Sequence, residues 1–345
     1  MPANMRLVLD GGALVANWRT LDRLSGSAGA GAAVKADGYG LGAREVVRRL
    51  SAAGCQDFFV AHWGEAQALA GWIDPARLAV LHGIAPGEEA AALAGLAVPV
   101  LNSAEQVVRW KAAGGGRCHV MIDTGMSRLG IDWRDDIAAL CTGLDVDLCL
   151  SHLASADEPS TQNEAQRQRF EQVRHQVKAR RYSLANSAGI ALGDGYHFDC
   201  TRPGLALYGG VPCDALAGHI RPVMRLEARI LQVRNVRAGD SIGYGATFTA
   251  ERDMQTATLS LGYADGFKRA LSSIGAFRSG DVHLPLLGRV SMDLSCIDLT
   301  EAPKLGEGDW IAADVVLPAV EAATGISQYE WLTQIGRRFD RIWVD

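Results

Sequence analysis

Residues 98–123, VPVLNSAEQVVRWKAAGGGRCHVMID, decide the fold of the first part of the chain. They contain a short apolar run at Val98–Asn102, a segment of helical spacing at Ala104–Ala113 and a second apolar run at Cys118–Asp123. Apolar runs this short are typical of strands that a parallel sheet buries on both faces. The stretch therefore predicts a strand, a helix and a second strand parallel to the first.

The same alternation continues on both sides of this stretch, over the first two-thirds of the chain. Eight apolar runs follow one another, mostly separated by helically spaced segments: Ala32–Ala36, Asp57–His62, Leu78–Ile84, Val98–Asn102, Cys118–Asp123, Val146–Ser151, Tyr182–Asn186 and Asp199–Tyr208. Eight strands alternating with helices over roughly 200 residues match a (β/α)8 TIM-type barrel. A doubly wound open sheet is the alternative, and the short last helix, Ser187–Tyr196, is the weakest part of the pattern.

The pattern changes near Pro222. The runs that follow are short, β-like and separated by turns rich in Gly and Asp: Arg225–Val236, Thr256–Leu261, His283–Leu287, Ser295–Leu299 and Trp310–Val315. A helix is predicted around Ser327–Arg338. Because 345 residues exceed the usual size of one core, we predict a barrel over 1–221 and a mainly β domain over 222–345. An alternative assignment pairs the first residues of the chain with the second domain.

Composition excludes several classes of function. The chain has 34 basic and 39 acidic residues without a basic stripe, which argues against nucleic-acid binding. No apolar stretch is long enough for a membrane span or a signal peptide, so a cytoplasmic protein without a membrane partner is expected. The seven cysteines form no CxxC pair and are expected to be buried thiols. No ligand spacing for a metal is present, so no metal site is expected.

Lys35 stands apart from the other four lysines, which lie in polar contexts. It follows Ala32-Ala-Val34, at the end of a run that should be buried. A buried ammonium is costly unless it pairs with an acid or its pKa falls. The residues alone leave two readings equal: an ion pair with Asp37 or Asp123, or the lowered pKa that a Schiff-base lysine needs.

Other polar side chains also follow the predicted strands. In a barrel, functional groups lie at the carboxyl ends of the strands. Strands five to eight end in Asp123–Arg128, Ser151-His152, Asn186-Ser187 and Arg202-Pro-Gly204. The last two of these ends are where barrels commonly build a phosphate site.

Ala33–Gly42, AVKADGYGLG, resembles the cofactor-lysine motif of the alanine racemase family, whose members are fold-type III pyridoxal-phosphate enzymes. Seven further motifs resemble that family in the same order along nearly the whole chain: DTGMSRLG (123–130), SHLASAD (151–157), NSAG (186–189), RPGLALYG (202–209), GYGAT (243–247), GYADG (262–266) and GRVSMD (288–293). The resemblance implies pyridoxal 5'-phosphate as cofactor and interconversion of L- and D-alanine, which supplies D-alanine for peptidoglycan.

The resemblance also implies two catalytic bases. Lys35 would hold the cofactor as a Schiff base and act on one face of the substrate. Tyr244 would act on the other face, reaching in from the second domain of a partner subunit, so a homodimer is implied. His152 would hydrogen-bond Tyr244 and link it onward to an arginine. Without the motifs, a satisfied core histidine and a packed turn tyrosine would be favoured.

The remaining site residues follow from the same resemblance. Arg202 would face the pyridine nitrogen, and because a guanidinium only donates hydrogen bonds, the ring would stay a weaker electron sink. From residues alone, an arginine before Pro-Gly could simply lie in a solvated turn. The other expected contacts are Tyr39, Asn186, Ser187, Gly204 and Leu205 for the phosphate, Arg128 for the phenolic oxygen and the substrate carboxylate, and Tyr263, Met292 and Asp293 of a partner subunit for the substrate pocket.

Two departures from the family pattern affect details. Met121 stands where some members carry a carbamylated lysine that orients the arginine, so Arg128 must be held in another way. Gly336 stands where many members place a phosphate-contacting tyrosine, so space near the substrate and some tolerance for serine are expected.

Rival functions remain. They are a serine or broad-specificity racemase, a fold-type III basic amino-acid decarboxylase, a single-domain cofactor carrier and a metal-dependent barrel enzyme. The decarboxylase gives no reason for GYGAT at 243–247, and the carrier gives none for a second domain.

Overall fold

The computed structural model describes residues 4–345 and divides the chain into two compact units. One unit is Ala13–Arg221, and the other joins the described residues through Gly12 to Pro222–Asp345.

Twenty strands occur among the described residues: β1 Met5–Asp10, β2 Gly29–Ala30, β3 Ala32–Ala33, β4 Phe58–Val60, β5 Leu78–Val80, β6 Val98–Leu101, β7 Arg117–Asp123, β8 Ile131–Asp132, β9 Asp145–Leu150, β10 Arg181–Ser183, β11 Cys200–Thr201, β12 Met224–Val236, β13 Ser241–Ile242, β14 Phe248–Thr249, β15 Met254–Leu259, β16 Ala276–Ser279, β17 Val282–Leu287, β18 Ser295–Asp298, β19 Trp310–Ala313 and β20 Asp340–Val344.

Eleven helices occur in the same part of the chain: α1 Gly11–Leu24, α2 Lys35–Tyr39, α3 Ala43–Ala53, α4 Trp63–Ala68, α5 Glu89–Leu93, α6 Ala104–Ala112, α7 Ile137–Cys141, α8 Thr161–Arg174, α9 Ser187–Ile190, α10 Leu317–Thr324 and α11 Gln328–Thr333. None of the helices within residues 4–345 is long and apolar enough to cross a membrane.

The larger unit is a barrel of parallel strands. Its sheet runs in the order β10-β9-β7-β6-β5-β4-β3, with every neighbouring pair parallel. The gap between the two end strands of this sheet, β10 and β3, is bridged by β11. On one side β11 pairs in parallel with β2, which directly precedes β3 in the chain. On its other side, the Arg202 N–H donates to the Ala185 carbonyl at 2.8 Å and the Asp199 N–H to the Tyr182 carbonyl at 3.0 Å. The predicted barrel is confirmed, and the open-sheet alternative is wrong.

The helix predicted at Ala104–Ala113 is present as α6. The region 187–196, expected to be the weakest helix, is the one-turn helix α9 followed by a 3-10 turn at Asp194–Tyr196. Asn186 begins α9 as its N-cap, because its Oδ1 accepts from the Gly189 N–H at 2.8 Å. The polar side chain at the end of β10 therefore also fixes the local backbone.

Two layers fill the barrel along its axis. An apolar cluster in the middle includes Phe59, Met121, Leu150 and Cys200. Beyond it, at the amino-terminal ends of the strands, lies an ion-pair network. Arg181 donates to both carboxylate oxygens of Asp57 at 2.7 and 2.9 Å and to Asp147 at 3.0 Å. Since this end is opposite the predicted site, the network serves the fold.

We expect Asp147→Asn to destabilise the protein by about 2 kcal/mol at pH 7, because it leaves Arg117 and Arg181 facing each other with less compensating charge. Burial alone would raise the pKa of the Asp147 carboxyl, but hydrogen bonds from these two arginines outweigh it and hold the pKa below its ordinary value. Ionised Asp147 thus adds stability above the unfolded pKa of ~3.9, and that stability is lost as the pH falls through the folded pKa.

Urea unfolding at pH 7 and at a series of acid pH values that ends below the folded pKa of Asp147 measures this effect. The variant and the parent chain should differ most at pH 7 and converge in acid. Asp145→Asn is the matched control, because Asp145 pairs with Arg180 on the exposed surface and should cost less than about 0.5 kcal/mol. An equal loss for both variants, or one that does not depend on pH, contradicts the assignment.

The second unit is built on one sheet in the order β15-β18-β17-β16-β19-β12-β1-β20, and β15 also pairs with β12. All its neighbours are antiparallel except β1 and β20. The five predicted strands are present as β12, β15, β17, β18 and β19. The predicted helix at 327–338 is present but shorter, because α11 ends at Thr333 and the Gly336 N–H then donates to the Asp265 carbonyl at 2.9 Å.

Candidate active site

Lys35 begins a short helical turn with an unusual backbone. The residues that follow it, Ala36, Asp37, Gly38 and Tyr39, have φ angles of +53°, +53°, +63° and +55°, so the turn is left-handed. Left-handed helical backbone costs about 1–2 kcal/mol for each non-glycine residue. The turn therefore persists only because the surrounding contacts hold it.

Those contacts come from three directions. The Glu65 carboxylate accepts from the Ala36 N–H at 2.6 Å and from the Ala61 N–H at 2.7 Å. The Asp37 carboxylate accepts from the Ala43 N–H at 2.8 Å. The Tyr39 ring stacks on Tyr208, with ring centroids 4.6 Å apart. The Lys35 backbone is thus fixed in a position that local propensity would not choose.

The Lys35 amine lies in an electropositive, half-buried place. Burial lowers its pKa, the charges of Arg128 and Arg202 lower it further, and Glu65 opposes them. Within residues 4–345 Lys35 forms no salt bridge with Asp37 or Asp123. The Asp123 Oδ1 instead accepts from the backbone N–H groups of residues 125 and 126, both at 2.8 Å. Of the two readings left open by the sequence, the ion pair is wrong.

His152 follows β9 and faces the same positive charges. Burial, together with Arg202, Arg128 and Lys35, lowers the pKa of its imidazole to about 3. The ring is neutral at pH 7, so one nitrogen donates a hydrogen bond and the other accepts one. Its backbone is held by the fully buried Gln166, whose amide nitrogen donates to the His152 carbonyl at 2.9 Å.

Arg202 is 7% exposed, so a solvated turn is wrong. Burial lowers the pKa of its guanidinium to about 10, which leaves it charged at pH 7. It donates to the Ser183 hydroxyl and the Ser151 carbonyl. Both acceptors are neutral, and no carboxylate within residues 4–345 pairs with this arginine. The site therefore contains a buried donor that carries a full positive charge.

A cradle of hydroxyl and N–H groups lies beside this cluster. The buried Ser187 hydroxyl accepts from the Gly204 N–H at 2.9 Å and from the Ala206 N–H at 3.3 Å. A Cβ on Gly204 would lie 2.2 Å from the Tyr39 hydroxyl, so only glycine allows this approach. Leu205 begins the 3-10 turn that follows. Tyr39, Ser187 and this backbone suit an anionic group such as a phosphate.

Arg128 lies on the loop after β7 and is exposed. Within residues 4–345 its guanidinium has no hydrogen bond or salt bridge. Met121, in the position where some family members carry a carbamylated lysine, packs in the apolar barrel cluster at 7% exposure. The charge of Arg128 is therefore available to an anionic ligand, and Met121 contributes packing only.

The other predicted residues lie on the second unit. Tyr244 is 70% exposed and begins a 3-10 turn, and Tyr263 and Met292 are exposed as well. The Tyr263 N–H donates to the Ser291 carbonyl at 3.0 Å, which brings the 263 and 291–293 segments together. Asp293 accepts a hydrogen bond from Arg338 at 2.8 Å. The side chains of Tyr244, Tyr263 and Met292 are therefore accessible in the single chain.

Backbone atoms pack closely around Gly336. A Cβ there would lie 3.0 Å from the Cα of Asp265 and 3.2 Å from the Ala264 carbonyl. Backbone atoms cannot give way as a flexible side chain does. The close backbone explains why glycine stands here, whereas the expected room near the substrate and the tolerance for serine remain predictions.

Comparison with known proteins identifies the family. The model of the alanine racemase N-terminal domain matches residues 9–212, and that of the alanine racemase C-terminal domain matches residues 223–343. The chain belongs to the alanine racemase family. Among its racemase relatives, one from Acidiphilium cryptum is 41% identical over 97% of this chain and 98% of its own length. A catabolic one from Agrobacterium fabrum is 40% identical over 99% of this chain and 92% of its own length.

Solved racemase structures agree with this membership. The alanine racemase of Bartonella henselae, with covalently bound pyridoxal phosphate, has a TM-score of 0.91 and 34% identity, covering 99% of this chain and 100% of that one. The biosynthetic alanine racemase of Pseudomonas aeruginosa has a TM-score of 0.89 and 32% identity, covering 100% of both chains. Members of the alanine racemase family depend on pyridoxal phosphate.

Some residues of this racemase-family site were missed by the sequence reasoning. Glu65 binds the backbone next to Lys35, Gln166 holds the His152 segment, and Ser183 accepts from Arg202. Ser183 lies on a predicted strand, and Glu65 follows another predicted strand by a few residues. A search for polar residues at and after the strand ends could therefore have found both. Gln166 lies inside α8 and gave no signal, because a glutamine on a polar helix is usually solvated.

Proposed function

We propose that the chain interconverts L-alanine and D-alanine, with pyridoxal 5'-phosphate bound covalently to Lys35. The observation that carries this proposal is the position of a lysine with a lowered pKa among two arginines, close to the cradle of Tyr39, Ser187 and Gly204. A neutral amine is the form that forms a covalent bond with an aldehyde. A phosphate-bearing aldehyde therefore fits both parts of the site.

When bound, the cofactor supplies an electron sink for the substrate Cα. The chain supplies binding and orientation. We propose that Tyr39, Ser187 and the backbone of Gly204 and Leu205 hold the phosphate, with Asn186 fixing the turn beside them. These groups offer hydroxyl and N–H donors without a cation, so the phosphate keeps its charge and its orientation depends on hydrogen bonds.

Arg202 is proposed to donate to the pyridine nitrogen. A guanidinium cannot accept a proton, so it holds that nitrogen unprotonated. Arg128 is proposed to bind the substrate carboxylate, which agrees with its lack of a partner in residues 4–345. Burial, together with the charges of Arg128 and Arg202, lowers the pKa of Lys35, which favours the neutral form of its amine.

Proton transfer on the two faces is assigned to two side chains. Lys35 Nζ is proposed to hold or deliver the proton on one face, and Tyr244 of the partner subunit the proton on the other. A phenol acts as a base in its phenolate form, which a hydrogen-bond donor backed by positive charge stabilises. The neutral His152 imidazole, linked to the positive cluster, fits that requirement.

A homodimer follows from this assignment. We propose that the exposed face with Tyr244, Tyr263, Met292 and Asp293 completes the site of a second copy. Their exposure supports this, because apolar side chains at the surface favour association. We also propose a cytoplasmic location, supported by seven cysteines that are all free.

The test is the interconversion itself, measured in both directions on the purified protein together with its visible absorbance spectrum. We expect a band from the lysine-bound cofactor and equal final amounts of L- and D-alanine. Because Gly336 stands where many family members place a tyrosine, some activity on L-serine is expected, with kcat/KM below that for L-alanine. Absence of the band, or of interconversion in a cofactor-loaded sample, would refute the proposal. A serine value above the alanine value would make the chain a serine racemase.

A further inference from the structure

Glu65 bridges two neighbouring strand ends of the barrel. It lies on α4, just after β4, and its two carboxylate oxygens accept from different backbone N–H groups. One is Ala36, directly after Lys35, and the other is Ala61, directly after β4. Hydrogen bonds to a charged acceptor are about twice as strong as neutral ones. Glu65 therefore fixes the end of the strand that carries Lys35 to the strand beside it.

The bond to Ala36 lies where the backbone most needs support. Ala36 is the first residue of the left-handed turn, with φ of +53°. A non-glycine residue in that region relaxes unless neighbouring groups hold it. Among the hydrogen bonds of this turn, the one from Ala36 is accepted by a charged side chain from another element. Loss of the hydrogen bond between Ala36 and Glu65 would release the backbone of Ala36, the residue next to Lys35.

The same carboxylate also balances charge. The charged and titratable groups near the Lys35 amine are Arg128, Arg202 and His152 from three other strand ends, and Glu65. Both arginines disfavour the ammonium form, whereas Glu65 favours it. Asp37, on the turn itself, is bonded to the Ala43 N–H. The proton affinity of Lys35 thus depends on two opposing effects: the carboxylate of Glu65 raises it, and the two arginines lower it.

We propose that Glu65 is a positioning residue that holds the left-handed turn behind Lys35 and supplies the carboxylate charge that keeps the amine able to take up a proton. This inference rests on the proposed role of Lys35 as a base. A base that racemises in both directions must both lose and regain its proton, so an amine surrounded only by arginines would regain it poorly.

The charge is tested on the full chain freed of cofactor. The rate of acetylation of Lys35 by a small reagent is measured from pH 6 to 10 by peptide mass spectrometry, with the exposed Lys178 as internal reference. Glu65→Gln should move the Lys35 midpoint to lower pH by about half a unit or more, because a negative neighbour is lost. Glu88→Gln is the matched control, since Glu88 also accepts from a loop N–H of the barrel, that of Ala85 at 2.9 Å.

The turn is tested with Glu65→Asp, which keeps the charge but is one methylene too short to bridge both N–H groups. Amide hydrogen exchange at Ala36 should rise at least about 10-fold, while the Lys35 midpoint stays near that of the parent chain. An unchanged midpoint in Glu65→Gln overturns the charge role. Unchanged exchange in Glu65→Asp overturns the positioning role, even if Glu65→Gln does not fold. Both readouts remain valid if the chain proves not to be a racemase.

Discussion

Lys35→Ala is expected to lose the covalent attachment of pyridoxal phosphate and racemase activity together. The variant keeps the hydroxyl and N–H groups proposed to hold the phosphate, so the cofactor should still bind, but reversibly. Removing a general base alone typically costs about 10²–10⁴-fold in rate, and here the covalent anchor is lost as well. We therefore expect a fall of at least about 10³-fold in kcat. Borohydride reduction followed by intact mass measurement reports the attachment directly.

Lys268→Ala is the matched control for this experiment. Burial also lowers the pKa of Lys268, but that residue lies on the second unit and donates to Gln334. The control should keep both the cofactor mass and the activity. A cofactor mass that survives borohydride reduction in Lys35→Ala would assign the covalent link to another lysine. Full activity without the link would overturn the role of Lys35 as a base.

The barrel could be predicted because its strands are buried on both faces. Burial of that kind leaves an uninterrupted apolar run, and eight such runs are visible in the sequence. The strands β1 and β20 were not assigned, although they pair in parallel with each other. Their partners lie at opposite ends of the chain, and no local pattern reports such a pairing. The prediction of α11 extended too far because Gly336 is required by contact with Asp265, which is a tertiary cause.

The candidate site was predictable where strand ends carry unusual residues. Lys35, His152 and Arg202 lie there, and the structure adds why they suit chemistry. Burial lowers the pKa of all three, and neighbouring positive charges lower those of Lys35 and His152 further. The left-handed turn after Lys35 was not predictable, because Ala36 and Tyr39 have no propensity for that backbone. Glu65 holds it through hydrogen bonds between neighbouring strands, which appear only after folding.

Tyr244→Phe should keep the cofactor absorbance band and the covalent link, while racemisation falls by about 10²–10⁴-fold. The change removes one hydroxyl from a side chain that is 70% exposed in the single chain, so stability should hardly change. Kinetics with substrate deuterated at Cα report which face is lost. One substrate enantiomer should still exchange its Cα proton through Lys35. Tyr329→Phe, on the same unit and also exposed, is the control.

Mixing the two inactive variants tests whether the site is shared between chains. If Lys35 of one subunit works with Tyr244 of the partner subunit, a dimer of one Lys35→Ala chain and one Tyr244→Phe chain contains one intact site and one doubly defective site. Half of the dimers formed at random are mixed, so co-refolded variants should recover about a quarter of the parent activity. Each variant refolded alone sets the background. If both bases belonged to one chain, every site would carry one of the two substitutions and mixing would restore no activity. That result would refute the proposed site shared between two subunits, but it would leave the role of Lys35 unchanged.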